Sequence, residues 1–239
     1  MNQNNMIDLL GTGLCPDRRR IWSQLGWVFV FAVAMGLLEG ICVIYLRRLL
    51  IPVGATVEQL GPPISRWPVE VVREFCTIVM LLAVAWVAGF NWRSRLAHFF
   101  FMFGVWDILY YVALWWFGGW PSSIMEWDCL FLIPKPWYGP VLAPVLISLY
   151  FMVGCCVALA HEKWGCSLRV TLPAFGLQIL AMFIWYWSFV KDSDAIKAYG
   201  YEGVHYSWWL FAAGLVCGLA SLWLAGRGGD ECAGTLEGN

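Results

Sequence analysis

Charge is scarce in this chain, and it is evenly divided. Of 239 residues only 15 are Lys or Arg and 16 are Asp or Glu, which leaves a formal net charge of −1. A basic face for nucleic acid is therefore excluded, because phosphate neutralisation needs clustered cations. The motifs of several common chemistries are also missing. The sequence has no phosphate-binding GxxxxGK[ST] loop, no GxGxxG after a strand, no HExxH and no GxSxG, so nucleotide hydrolysis, zincin proteolysis and hydrolase-type serine catalysis lack their parts. Nine cysteines include no C-x-x-C pair, and most lie within or at the ends of apolar runs. They form no metal or disulfide framework, and Cys42, Cys155, Cys156 and Cys217 read as small apolar packing residues.

What is present is apolar surface. Hydrophobic residues make up 61% of the chain and aromatics 17%, too much for a soluble domain of this length and the composition of a bilayer protein. A helix needs roughly 20 apolar residues to cross the hydrocarbon core. Six runs qualify: 21–46, 75–92, 99–120, 136–160, 170–190 and 208–225. Only the first and third carry a full charge, at Glu39 and Asp107. The fold class expected is an all-α polytopic membrane protein forming one transmembrane domain, with polar or Gly-rich tails at both ends.

The 17 tryptophans mark the limits of the runs, since indole favours the headgroup region. Trp22, Trp67, Trp92, Trp120, Trp137, Trp164 and Trp208 fall near proposed ends, whereas Trp86 and Trp106 sit deeper and are expected between helices. Arg18, Arg19 and Arg20 before the first run suggest a signal peptide. The run is too long for one, contains Glu39 and lacks a small-residue cleavage site, so it is expected to remain as helix one.

Loop charge orients the chain weakly. With the N-terminus inside, eight Lys and Arg fall inside (Arg18, Arg19, Arg20, Arg93, Arg95, Lys163, Arg169, Arg227) and seven outside (Arg47, Arg48, Arg66, Arg73, Lys135, Lys191, Lys197). Short basic inner connections and long outer ones favour cytoplasmic termini.

The chemistry lies with the acids. Glu39 sits between Gly36 and Gly40, a small-xxx-small spacing that lets two helices touch backbone to backbone. An acid at mid-membrane costs about 2.5–3.5 kcal/mol on insertion scales, so it is expected to face protein or water and to find a partner. Arg73 and Glu74 at the start of helix two share its depth if helices one and two are antiparallel. Asp107 lies near the middle of helix three, with Tyr110 and Tyr111 one turn above. The heptapeptide from Trp106 to Val112 is echoed from Trp127 to Ile133, which adds Asp128. Pro121 suits a first helical turn, and Pro134 and Pro136 would stop a helix, so 121–133 reads as a short interfacial or re-entrant helix capping the outer face. Glu39, Arg73, Glu74, Asp107, Tyr110, Tyr111 and Asp128 thus form a candidate polar pocket in the outer half.

Gly104-Val105-Trp106-Asp107-Ile108-Leu109-Tyr110-Tyr111, Trp120-Pro121, Trp127-Asp128, Leu130-Phe131-Leu132-Ile133-Pro134-Lys135-Pro136-Trp137 and Gly139-Pro140-Val141-Leu142-Ala143-Pro144 span about 40 residues of motif. In these the chain resembles an uncharacterised family of bacterial multi-pass inner-membrane proteins. That resemblance implies a setting and no activity. Lys135 to Pro140 followed by Leu149 to Gly154 is also similar to the first loop and second helix of the tryptophan-rich translocator and sensory proteins. Those are shorter, have five helices and carry later motifs absent here, so this likeness is an analogy.

Each signal also has a plainer explanation. Glu39 and Glu74 with the arginines can be an ion-pair network fixing helix register. Asp107 can simply bond a tyrosine or an amide, Arg47 and Arg48 can bind lipid headgroups, and the charged loop Lys191 to Glu202 can be merely solvated. No cofactor motif is present. His98 and His161, at the inner ends of helices three and four, are the one pair of imidazoles that could meet on a haem or metal. His205 lies in the opposite loop.

The function expected is that of an accessory or assembly subunit of a membrane complex, with membrane lipids and other membrane subunits or further copies of the chain as partners. Two alternatives stand beside it. One is a small-molecule or ion transporter using Glu39 and Asp107. The other is a membrane enzyme acting on a lipid or isoprenoid headgroup, in which Glu39, Glu74, Asp107 and Asp128 hold a divalent cation or act as general acid and base.

Overall fold

The computed structural model describes residues 18–50, 68–163 and 171–227. Its elements are α1 (Arg18–Leu50), α2 (Pro68–Ala88), α3 (Trp92–Gly118), β1 (Trp127–Phe131), β2 (Trp137–Pro140), α4 (Leu142–Lys163), α5 (Leu172–Val190), α6 (Ser193–Tyr199) and α7 (Trp208–Arg227). Six of the helices, all but α6, are long and apolar enough to cross a membrane. Trp67 and Trp164 lie outside the described residues, as do both tails and the loops 51–67 and 164–170.

Helix α3 is the centre of the bundle, and α1, α2 and α4 all pack against it. The tightest approach is at Gly36 and Gly40 of α1. A Cβ at Gly36 would meet the Trp106 carbonyl oxygen at 2.6 Å, and one at Gly40 would meet the Ala113 Cβ at 2.6 Å. The small-residue spacing is therefore used within the chain, to bring α1 onto α3. Gly104 does the same for α4, its missing Cβ lying 2.6 Å from the Ser148 carbonyl oxygen. Leu25, Val28, Ala32, Leu81, Met102 and Val105 fill the resulting core.

Helices α5 and α7 form a second pair. Trp185 on α5 lies against Gly214, where a Cβ would sit 2.6 Å from the indole, and its Nε1 donates to the Phe211 carbonyl at 3.2 Å. Ser221 Oγ ties the other end by donating to the Ala174 carbonyl at 2.7 Å. Tyr150 of α4 bridges to this pair, its hydroxyl lying 2.7 Å from Gln178 Oε1 and 3.0 Å from the Gly218 carbonyl. Around it, Phe151, Trp185 and Phe211 make a run of tilted and edge-on rings, the geometry that aromatic quadrupoles favour.

The helix expected over 121–133 is not formed. Residues 127–131 are a β-strand, antiparallel to β2, with Trp127 opposite Pro140, Asp128 opposite Gly139 and Cys129 opposite Tyr138. The register shifts before Phe131, which faces Trp137. Two further bonds, Val141 N–H to the Glu126 carbonyl at 3.0 Å and Leu142 N–H to the Ile124 carbonyl at 2.8 Å, continue the pairing past the ladder. The prolines close a turn rather than stop a helix. The sequence after them then satisfies the backbone of the sequence before, a non-local pairing that local propensity does not encode.

Three further expectations are corrected. Helix two starts at Pro68, ahead of the apolar run at 75 and with the charges of its first turns paired, but it stops short of the 92 expected for that run. It ends at Ala88, and Asn91 starts α3 by accepting the Ser94 N–H at 2.8 Å. The fourth run loses 136–141 to the hairpin and turn, so α4 begins at Leu142. Trp106 is buried, but Trp86 is 66% exposed and carries the Arg95 guanidinium 3.8 Å above its ring rather than packing between helices.

The hairpin closes one end of the bundle. Trp137 stacks on Phe189 of α5 at 6.1 Å between centroids, and Phe189 in turn stacks on Tyr206 at 5.7 Å. The segment expected to be only a solvated loop is partly helical and docked here. Ser193 and Ile196 of α6 are buried, Ser193 Oγ donates to the Pro136 carbonyl at 2.6 Å, and Lys135 bonds Asp194 at 2.7 Å.

Candidate functional site

The polar residues at the hairpin end are placed by three elements whose ends meet there: the last turns of α1, the first turns of α2 and the second half of α3. Glu70, Glu74, Thr77, Leu81 and Ala85 are the buried residues of α2, at three- and four-residue spacing, so one face of that helix is polar at its start and apolar beyond.

Glu39 is the most heavily bonded of the acids. One carboxylate oxygen accepts from the Arg73 guanidinium. The other accepts from Trp106 Nε1 at 2.7 Å and from Thr77 Oγ1 at 3.0 Å. Arg73 also donates through Nε to Glu70 at 2.9 Å, so one guanidinium serves two carboxylates. The carboxyl of Glu39 thereby joins α1 to both α2 and α3. Charge-assisted bonds to an ion in a low-dielectric setting are the strong class of hydrogen bond.

Glu74, the next residue, does not join Glu39. It turns to the hairpin and accepts the backbone N–H of Leu132 at 2.8 Å.

A second network holds the hairpin from below. Asp128 is buried and accepts from Arg47 Nη2 at 3.3 Å and from the Tyr111 hydroxyl at 3.2 Å. The Arg47 guanidinium lies 4.4 Å from the centroid of Trp120. Tyr110 packs edge-on against Tyr111 at 5.2 Å. Burial pushes the Asp128 carboxyl above its ordinary range, with Arg47 and Tyr111 working against that shift. Burial likewise raises the Cys129 thiol and the Tyr201 phenol, and the neighbouring Asp128 raises both further.

Asp107 stands apart from both networks. Its carboxylate accepts one bond, from Ser148 Oγ of α4 at 2.8 Å.

The shift at Asp128 has a measurable consequence. In the unfolded chain its carboxyl releases a proton at the ordinary Asp value, whereas in the fold it holds the proton to higher pH. The stability it contributes is thus complete below the ordinary value and is lost as pH rises through the folded one. Amide exchange at Cys129 and Leu132 is expected to gain, over that range, an acceleration beyond the intrinsic base catalysis of exchange. Asp128→Asn should remove it, and an unchanged pH dependence in that variant would refute the assignment.

Of the seven residues singled out from sequence, Glu39 and Arg73 share one network and Tyr111 and Asp128 another. Glu74 bonds the hairpin backbone, Asp107 bonds Ser148, and Tyr110 contributes a ring. Sequence reasoning missed Trp106, Thr77 and Ser148 as donors, and it assigned Arg47 to lipid headgroups rather than to Asp128. Thr77 was detectable in principle, because it follows Arg73 by four and Glu70 by seven on one helical face. Arg47 was not, because its partner lies 81 residues away.

Of the histidine pair, one side chain is described. His98 is buried with Nδ1 2.7 Å from the Ser94 carbonyl, so Nδ1 carries a proton and is committed as a donor. The His161 side chain lies outside the described residues. Among the described residues, no group of three or more His, Cys, Asp or Glu is placed to hold a metal ion.

Fold and site together define a class: a helical bundle with six helices long and apolar enough to cross a membrane, as an integral membrane protein requires, closed at one end by a β-hairpin. No protein-family model matches the chain, and neither the curated proteins nor the solved structures provide a match.

Proposed function

We propose that the chain is a multi-pass protein of a bacterial inner membrane, with both termini in the cytoplasm and the hairpin end outside, and that it serves as an accessory or assembly subunit of a membrane complex. The observation that carries this reading is the saturation of Glu39. A carboxylate with three donors from two neighbouring helices fixes helix register, leaving little of it for a substrate. Glu74 and Asp128 are likewise engaged in fastening the hairpin. The metal-dependent form of the enzyme alternative would bring several of Glu39, Glu74, Asp107 and Asp128 onto one divalent cation, and among the described residues no group of three or more such ligands is placed to hold one. Its partners would be membrane lipids and either other subunits or further copies of this chain.

Extraction into native-lipid particles tests the subunit reading. Stoichiometric partner chains, retained through mild detergent and joined by cross-linking, are expected. A monodisperse monomer extracted without any partner would overturn it. The orientation is tested by single cysteines in a cysteine-free background. A position at Ala198 should react with an impermeant reagent from outside, and one at Asn91 only after the membrane is opened. Labelling of both from the same side would refute the topology.

A further inference from the structure

Asp107 differs from Glu39, Glu70 and Asp128 in its setting. It lies two residues past the midpoint of α3, the 27-residue helix at the centre of the fold, about 3 Å along the axis from its middle. Its one hydrogen-bond donor among the described residues is the neutral hydroxyl of Ser148, itself buried. No Lys or Arg among them pairs with it, whereas Glu39, Glu70 and Asp128 each bond an arginine. Asp107 itself is half-buried.

Its surroundings along the helix are polar on one side only. One turn toward the hairpin on the same helix face is Tyr111, whose hydroxyl donates to Asp128 at 3.2 Å, and Asp128 accepts from Arg47. One turn the other way, Phe103 packs edge-on against Phe151 at 6.2 Å, and Gly104 lets the α4 backbone close in at Ser148. The groups that face Asp107 are therefore Ser148 from α4, Asp128 from the hairpin and Tyr111 from its own helix. Arg47 of α1 sits on the far side of Asp128. The result is a line of hydroxyl and carboxyl groups that runs from the hairpin end to mid-bundle and stops at aromatic rings.

We propose that Asp107 is a proton-binding site in the middle of the bundle, loaded and unloaded from the hairpin end by way of Tyr111 and Asp128. The carboxylate takes one proton and returns it. The phenol of Tyr111 relays by giving its proton to one neighbour while accepting another, with water filling the steps that no direct bond closes. A carboxyl with one neutral donor and no paired cation can occupy mid-membrane as the acid form without leaving an uncompensated charge. This does not depend on the subunit reading above, since it makes no use of a partner.

Infrared difference spectroscopy of the full chain in lipid nanodiscs, in sodium-free buffer, tests the proposal. A carboxylic C=O band is expected that disappears in Asp107→Asn, persists in Glu39→Gln, and moves in frequency when Ser148→Ala removes its hydrogen bond. Its shift on transfer to deuterated buffer should slow several-fold in Tyr111→Phe. Should Asp107→Asn fold poorly, the frequency change in Ser148→Ala carries the assignment. Three results would overturn the proposal: carboxylic bands that Asp107→Asn leaves unchanged, exchange indifferent to both Tyr111→Phe and Asp128→Asn, or loss of the band on adding sodium but not choline, which would make the bound cation a metal ion.

Discussion

Glu39→Leu is expected to destabilise the bundle by about 3 kcal/mol, measured by reversible unfolding in mixed micelles, whereas Glu39→Gln should cost about 1–2 kcal/mol. The difference has a specific origin. Leucine fills similar space but leaves the Arg73 guanidinium without one of its two carboxylates and removes the acceptor from Trp106 Nε1 and Thr77 Oγ1. Breaking a buried pair by removing one partner costs about 3–5 kcal/mol in general. The lower end applies here because Arg73 keeps Glu70 and its side chain is 27% exposed. Glutamine retains an acceptor for the indole and the hydroxyl and loses only the ionic part. Equal stabilities for the two variants would mean that the network does not hold α1 to its neighbours.

An effect at least as large is expected one turn earlier. Gly36→Leu should cost about 3 kcal/mol or prevent assembly of α1 on α3, because its Cβ alone would lie 2.6 Å from the Trp106 carbonyl oxygen. A backbone atom cannot rotate away as a side chain can, so the two helices must separate. Separation also draws Trp106 from Glu39, which couples this variant to the previous one and makes their effects non-additive. Gly26→Leu serves as the control. Nothing lies within 4 Å of a Cβ built there, and its effect should stay within about 0.5 kcal/mol. If both leucine variants unfold alike in the same micelles, the close approach of α1 and α3 is wrong.

The two variants also show which parts of the site were legible in the sequence. Gly36 and Gly40 announced a close helix contact, and an acid between them announced a partner, because both statements follow from what a bilayer costs an unpaired charge. The identity of the neighbouring helix did not follow. A small-residue pair fits any smooth helix face, and the indole that answers Glu39 belongs to Trp106, 67 residues further on. Arg47 and Asp128 show the same limit more strongly. Each alone looked like an interfacial charge, and only the folding of the hairpin back over the end of α1 makes them a pair.

The hairpin is the sharpest divergence. Residues 121–133 carry an N-terminal proline, aromatic and branched side chains and a proline stop, all compatible with a short helix. Strand and helix differ little in local preference over so few residues. What decides is the backbone of Trp137 to Pro140, which pairs with it at a place where the preceding helix has ended. Lys135 and Ser193 then find partners across the turn, and a segment that reads as a solvated loop becomes the docked helix α6.

By itself the sequence determined the number of the apolar helices and the rule that any acid within them must be answered by protein or water. Those are properties of single segments against a uniform solvent, and composition along the chain is enough to state them. The tertiary structure alone decided which donors answer each acid, that Glu39 is saturated while Asp107 keeps one neutral partner, and that one end of the bundle is closed by paired strands. Each of these depends on groups from separate segments arriving at the same depth and azimuth, which helix packing sets and no local pattern records.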